Sequence, residues 1–95
     1  MATFVMLSTL GPDGAATLQA NPTRMRQVNE EVQAMGVRVT HQWALLGQYD
    51  FCTVIEAPDE KVMAKVALAL GARGTMKTLT LTAIPAEELI SLLNT

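Results

Sequence analysis

The chain is short of charge, of aromatic rings and of cysteine. Charged residues fill 17% of its 95 positions while hydrophobic residues fill 49%; ordinary soluble domains carry roughly 25% charged residues. So few charges leave the outside of a small domain under-covered, and an apolar surface facing a partner subunit is the simplest consequence. The basic residues, Arg24, Arg26, Arg38, Lys61, Lys65, Arg73 and Lys77, are scattered, and the net charge is −2. That distribution excludes the basic stripe of a nucleic-acid footprint. Aromatics at 4% are too sparse to stack bases in series. Cys52 is the single cysteine, which rules out an intrachain disulfide and leaves too few ligands for an ordinary metal site. Inside an apolar run it reads as a small buried hydrophobe.

Long apolar runs are missing too, so no window spans a bilayer. The opening MATFVMLSTL lacks the charged leading segment of a signal peptide, and a cytoplasmic location is the expectation. No phosphate-binding loop, dinucleotide fingerprint, calcium loop or zinc spacing occurs. Neither a cofactor nor a metal is therefore expected.

What is present is a regular alternation of short elements. Ala2 to Thr9 reads as a strand with Phe4 and Met6 on one face and Val5 and Leu7 on the other, apolar on both. Gly11 to Asn21 reads as a connection with one helical turn at Ala15 to Gln19. Pro22 to Met35 reads as a helix, with Asn21 as N-cap, Pro22 in the first position and an apolar stripe of Met25, Val28, Val32 and Met35. Gly36 stops it. Val37 to Leu46 and Asp50 to Glu56 read as a hairpin whose bend, Gly47–Gln48, suits a type II′ turn. That register sets Leu46 opposite Tyr49, Leu45 opposite Asp50, Trp43 opposite Cys52 and His41 opposite Val54. Pro58 to Leu70 reads as a second helix ended by Gly71. Met76 to Ile84 is a strand in which Leu79, Leu81 and Ala83 alternate with Thr78, Thr80 and Thr82. Pro85 to Leu93 is a short terminal helix.

The order βαββαβ plus a C-terminal helix predicts one α+β domain over residues 1–95. It is the ferredoxin-like sandwich, a four-stranded antiparallel sheet with two helices on one face. Its other face is left open. Because the first and third strands are apolar on both faces, a second copy of the chain is the economical cover, as a homodimer or higher homo-oligomer.

The stretch Gly47–Gln48–Tyr49–Asp50 carries a resemblance. So do Pro22 and Arg24 at the first long helix, EAPD at Glu56 to Asp59, LALG at Leu68 to Gly71, Gly74, and the Thr-x-Thr of Thr78 and Thr80. Nearly the whole chain, in order, resembles the GYD-domain family of small bacterial and archaeal proteins. Where such proteins more often carry Tyr or Phe, this chain has Trp43, a bulkier wall. The resemblance implies a dimeric or higher ferredoxin-like assembly of the α/β-barrel kind, and it brings no established reaction.

Each candidate residue has a structural and a functional reading. Gly47 supplies backbone freedom at a bend. Tyr49 is either a core aromatic whose hydroxyl reaches a polar partner or a group at a cavity mouth. Asp50 either bonds turn amides or aims a carboxylate at a ligand. His41, the only histidine, suits a general base by type but lacks a visible nucleophile beside it, and no catalytic set is assigned. Arg24 stands at a helix start, where anions are favoured, or is a solvated charge. Lys77 with Thr78, Thr80 and Thr82 lines either an open ligand-facing sheet or a wet strand face. The expected function is an oligomeric small-molecule-binding domain with its cavity at the open sheet face, using His41, Trp43, Tyr49, Asp50 and Arg24. The alternatives are a non-enzymatic structural or regulatory module with a solidly packed interface, and a cofactor-free isomerase, decarboxylase or monooxygenase.

Overall fold

A computed structural model describes all residues, 1–95. The elements run β1 (Ala2–Leu10), α1 (Pro12–Ala20), α2 (Arg24–Gln33), β2 (Arg38–Ala44), β3 (Phe51–Ala57), α3 (Glu60–Ala72), β4 (Met76–Ala83) and α4 (Ala86–Leu93). The strands form one antiparallel sheet in the order β2-β3-β1-β4. That is the ferredoxin-like arrangement, and it follows from the need to bury β1 and β3, the two strands apolar on both faces, at the sheet centre.

The core lies between the sheet and the helices. Phe4 and Met6 of β1 and Ile55 of β3 meet Met63, Val66 and Leu70 of α3 and Val32 of α2. The three α3 residues recur at helical spacing on one stripe. Full burial of each such side chain is worth about 1.5–3 kcal/mol. The start of α3 is held by Asp59, whose carboxylate accepts from the Val62 amide at 2.9 Å. Asp59 is thus the N-cap, and Pro58 precedes the helix instead of opening it. At the other end the helix runs through Gly71 to Ala72.

Three local readings are corrected. The connection after β1 is a full helix, α1, opened by Pro12. Its one buried residue is Gly14, where a β-carbon would run into the Thr75 carbonyl; a backbone approach this close, which only glycine allows, docks α1 on the loop before β4. At α2, Asn21 is not the side-chain cap. Its carbonyl accepts from the Arg24 amide at 3.0 Å and its Oδ1 from the Thr23 hydroxyl at 2.6 Å, so a tight turn through Pro22 leads into the helix. The hairpin bend also differs. Trp43–Cys52 and His41–Val54 are partners as expected, but the ladder ends at Ala44–Phe51. Leu45 still donates to the Asp50 carbonyl at 2.7 Å, whereas Leu46 and Tyr49 exchange no hydrogen bond, and a wider loop replaces the two-residue turn. Gly47 sits at φ +119, a region that side chains resist.

Strand β4 is inverted relative to the usual amphipathic pattern. Met6 pairs with Thr80 and Leu7 with Leu79. The threonines therefore face the helices, and the leucines face out. Thr78 and Thr80 are half-buried there, unlike either sequence reading, while Thr82 is exposed. The Thr80 hydroxyl is sealed from solvent without a hydrogen-bond partner. Leaving such a group unpaired costs about 1–3 kcal/mol, while an apolar group of the same shape avoids that cost. Thr80→Val is accordingly expected to raise the melting temperature in a calorimetric scan; an unchanged or lower value would mean the hydroxyl is satisfied in solution.

Candidate functional site

Two surfaces concentrate unusual chemistry, one on each side of the sheet. The division between them is made at a single residue of β2. Val39 pairs with Ile55 and His41 with Val54, so Thr40 is an extra, bulged residue. Two residues apart on a regular strand share a face; across the bulge they do not. Val39 packs against the core, while His41 points outward, and the next residues alternate from there. Gln42 turns in and Trp43 turns out.

The outer face is a grid of apolar residues crossing all four strands. One row runs His41, Val54, Val5 and Leu81; the next runs Trp43, Cys52, Leu7 and Leu79. Trp43 is 52% exposed, Leu79 45% and Leu81 48%. His41 stacks on Trp43 with ring centroids 5.3 Å apart and an interplanar angle of 14°, and its Nδ1 lies 3.1 Å from the Thr40 hydroxyl. Cys52 is half-buried and free on this face, not enclosed in the core as its apolar neighbours suggested. At one end of the grid Arg38 and Glu56, cross-strand partners, form an ion pair at 3.1 Å. Lys77, beside Thr9, marks the other end. Every residue of α4 is exposed as well, including Leu89, Ile90, Leu92 and Leu93.

Asp50 and Tyr49 lie at the loop end of the sheet. Asp50 is committed to the backbone in three directions. Its amide donates to the Ser8 carbonyl at 2.8 Å, its carbonyl accepts from Leu45, and its Oδ2 accepts from the Leu10 amide at 2.7 Å. The carboxylate supplies the acceptor that β3 no longer provides once it has turned away from β1. Tyr49 is half-buried beside it.

The inner side holds a cleft of about 110 Å³ between α1, α2 and the sheet. Its floor carries Met6, Ser8, Phe51 and Thr53, and its α2 wall carries Met25, Val28 and Asn29. Two floor residues are polar yet buried, Ser8 at 4% exposure and Thr53 at 2%. Gln42, turned inward by the bulge, donates to the Thr53 hydroxyl at 3.1 Å and accepts from Asn29 at 2.8 Å. Arg24 also lines this cleft. Of the five ligand candidates from the sequence, then, Arg24 is separated by the sheet from His41 and Trp43, while Tyr49 and Asp50 occupy the connecting loop. Ser8, Asn29, Gln42 and Thr53 were not singled out. The signal available was a small polar residue on an otherwise apolar strand face, Ser8 after Phe4 and Met6, and Thr53 before Ile55.

Arg24 is anchored. Its Nη1 bonds Gln27 at 3.2 Å and Glu31 at 3.1 Å, and Arg73 of the loop after α3 takes the other Glu31 oxygen at 2.5 Å. The Arg73 hydrogen bond first, then that of Arg24, holds the Glu31 carboxyl below its ordinary value of 4.5. A carboxylate that is more acidic when folded stabilises the fold above its unfolded pKa, and that contribution fades as pH falls through the folded value.

Two outcomes are expected. Asp50→Ala strands the Leu10 amide and should cost about 1.5–3 kcal/mol, the range for bonds to charged groups, read as a lower urea midpoint. Glu31→Gln should flatten the loss of stability below about pH 4.5 in acid titrations followed by circular dichroism, leaving neutral-pH behaviour of the two arginines to screened surface interactions; an acid limb identical to that of the parent chain would show that the triad contributes nothing.

Comparison with known proteins adds the lineage. Residues 4–93 match the family model described as GYD domain. The chain is 51% identical over 92 residues, covering 96% of itself and 97% of the relative, to a Thermus thermophilus protein named "Glutamine synthetase and cystathionine beta-lyase binding protein". No solved structure matches it. The bend that opens at Gly47, the Tyr49–Asp50 pair that follows it and the match over nearly the full length make this chain a member of the GYD-domain family.

Proposed function

We propose that the chain is a non-catalytic protein-binding module, self-associating through its open sheet face and docking on metabolic enzymes of the kind its relative is named for. The observation that carries this is the orientation of β4. A strand covering a core on one side and water on the other would turn its leucines in; here Leu79 and Leu81 face out beside Leu7 and Val5, and threonines take the helix side. An apolar grid with Trp43 at its edge and charges confined to its ends has the make-up of a protein interface core and rim.

Self-association draws on a second surface of the same chain. The exposed apolar residues of α4 do not fold back over their own sheet, so an open face and an unpartnered helix are both offered to a neighbour. No transmembrane-length apolar helix is present to provide another use for them. The polar candidates fit this reading, since Asp50 serves β1 and His41 stacks on Trp43. A ligand cavity bounded by His41, Trp43 and Tyr49, the reading centred on small-molecule binding, needs a second sheet to roof it and so depends on the same association.

Light scattering should give a mass that is a multiple of the 10.2 kDa chain. Leu81→Lys should dissociate it while keeping its circular dichroism, because a leucine that the association would cover is replaced by an unpaired charge. Immobilised glutamine synthetase or cystathionine beta-lyase from the source organism should capture the parent chain, and the variant at least about tenfold less tightly. A monomer of 10.2 kDa that neither enzyme retains would refute the proposal.

A further inference from the structure

Ser8 is more than nine-tenths buried; its backbone carbonyl accepts from the Asp50 amide, while its hydroxyl takes no part in the side-chain hydrogen bonds that fix Asp50, Gln42 and Asn29 around it. It is not sealed in the core as Thr80 is; it stands in the floor of the cleft between the sheet, α1 and α2. Its neighbour Thr53 accepts a hydrogen bond from Gln42, which leaves the Thr53 hydroxyl proton to be donated. Two residues with a hydroxyl proton to give therefore line the same cleft. Buried polar groups in folded proteins have partners; the Ser8 hydroxyl, which is not among the sealed unpartnered atoms, takes its partner from whatever fills the cleft.

The surroundings define what would complete the site. Gln42 and Asn29 form a bonded row that fixes Thr53. The apolar lining of floor and walls, Met6, Met25, Val28, Phe51 and Met76, is in part adaptable. Arg24 lines the same cleft, and Glu31 is shared between Arg24 and Arg73. Two guanidinium groups share one carboxylate, so the Arg24–Glu31–Arg73 cluster, of which Arg24 lines the cleft, carries a net positive charge. Guanidinium and hydroxyl donors together suit a carboxylate. The volume of about 110 Å³ is somewhat below the ~150 Å³ that houses one benzene.

We propose that this cleft binds a short monocarboxylic acid with a compact apolar body, its carboxylate met by Arg24 and the hydroxyls of Ser8 and Thr53. The site lies on the opposite side of the sheet from the proposed protein-binding face, so the two readings stand or fall separately. The binding residues come from β1, β3 and α2, and the Thr40 bulge turns Gln42 toward them.

Butyrate and its neutral isostere butyramide test the assignment by calorimetric titration and by amide shifts in nitrogen–proton correlation spectra of the parent chain. Butyrate is expected to bind, with the largest shifts at Ser8, Thr53 and Asn29, and butyramide to bind at least about tenfold more weakly, since bonds to a charged group are the stronger ones. Ser8→Ala and Arg24→Gln should each weaken butyrate by about tenfold or more, with Arg24→Gln leaving butyramide unchanged. Variant spectra that retain the parent dispersion establish folding. Equal affinity for acid and amide, shifts centred on Trp43 and Leu81, or no binding of butyrate at millimolar concentration overturns the proposal; the mass and enzyme-capture results bear on the other face alone.

Discussion

A four-stranded sheet has two faces, and the three helices packed on this one cover a single side. That constraint organises the molecule. Burying β1 and β3 at the centre satisfies their ladders but leaves Val5, Leu7, Cys52 and Val54 only half-buried, on the side of the sheet away from the core. The hydrophobic effect scales with apolar area removed from water, so this area is stabilisation still to be gained. The placement of Leu79 and Leu81 enlarges it, and helix α4 adds a separate apolar surface. This distribution of apolar surface is what the proposed self-association draws on.

The helix side is organised by a different logic. Its core is apolar around Ile55, Met63, Val66 and Leu70, yet toward α1 and α2 the same layer turns polar and loosens into a cleft. The transition happens along single strands, from Met6 to Ser8 and from Ile55 to Thr53. One half of the layer holds the fold together, and the other half offers hydrogen-bond donors. Asp50 joins the two halves to the hairpin, because the same residue that ends the β2–β3 ladder also ties off the end of β1. The family's namesake stretch is thereby a structural clip: Gly47 takes the left-handed bend and Asp50 closes the strand end.

Much of the architecture was legible because it is written in short-range patterns. The two-sided apolar runs of β1 and β3, the alternation in β4, the stripe in α3 and the Gly47 bend each depend on residues a few positions apart, and the order of elements then leaves few topologies open. The hairpin register from Trp43–Cys52 to His41–Val54 was read correctly because it depends on the loop length. The cleft was not legible. It needed α1, whose weakly amphipathic sequence gives little periodic signal and whose position depends on Gly14 meeting Thr75. The opened turn was missed because Asp50 is drawn to β1, a strand forty residues away in sequence.

By itself, then, the sequence determined the α+β class, the strand pairing and the existence of an unsatisfied apolar face, since each follows from local periodicity and from the number of apolar positions. Only the tertiary structure decided which residues share a face. One bulged residue, Thr40, reverses the side on which everything after it in β2 lies, and the register with β1 turns the β4 leucines outward. Strand parity has a period of two, so a single inserted residue or a one-step register choice, made by contacts between distant strands, separates Arg24 from His41 and Trp43 and decides which side chains share each face of the sheet.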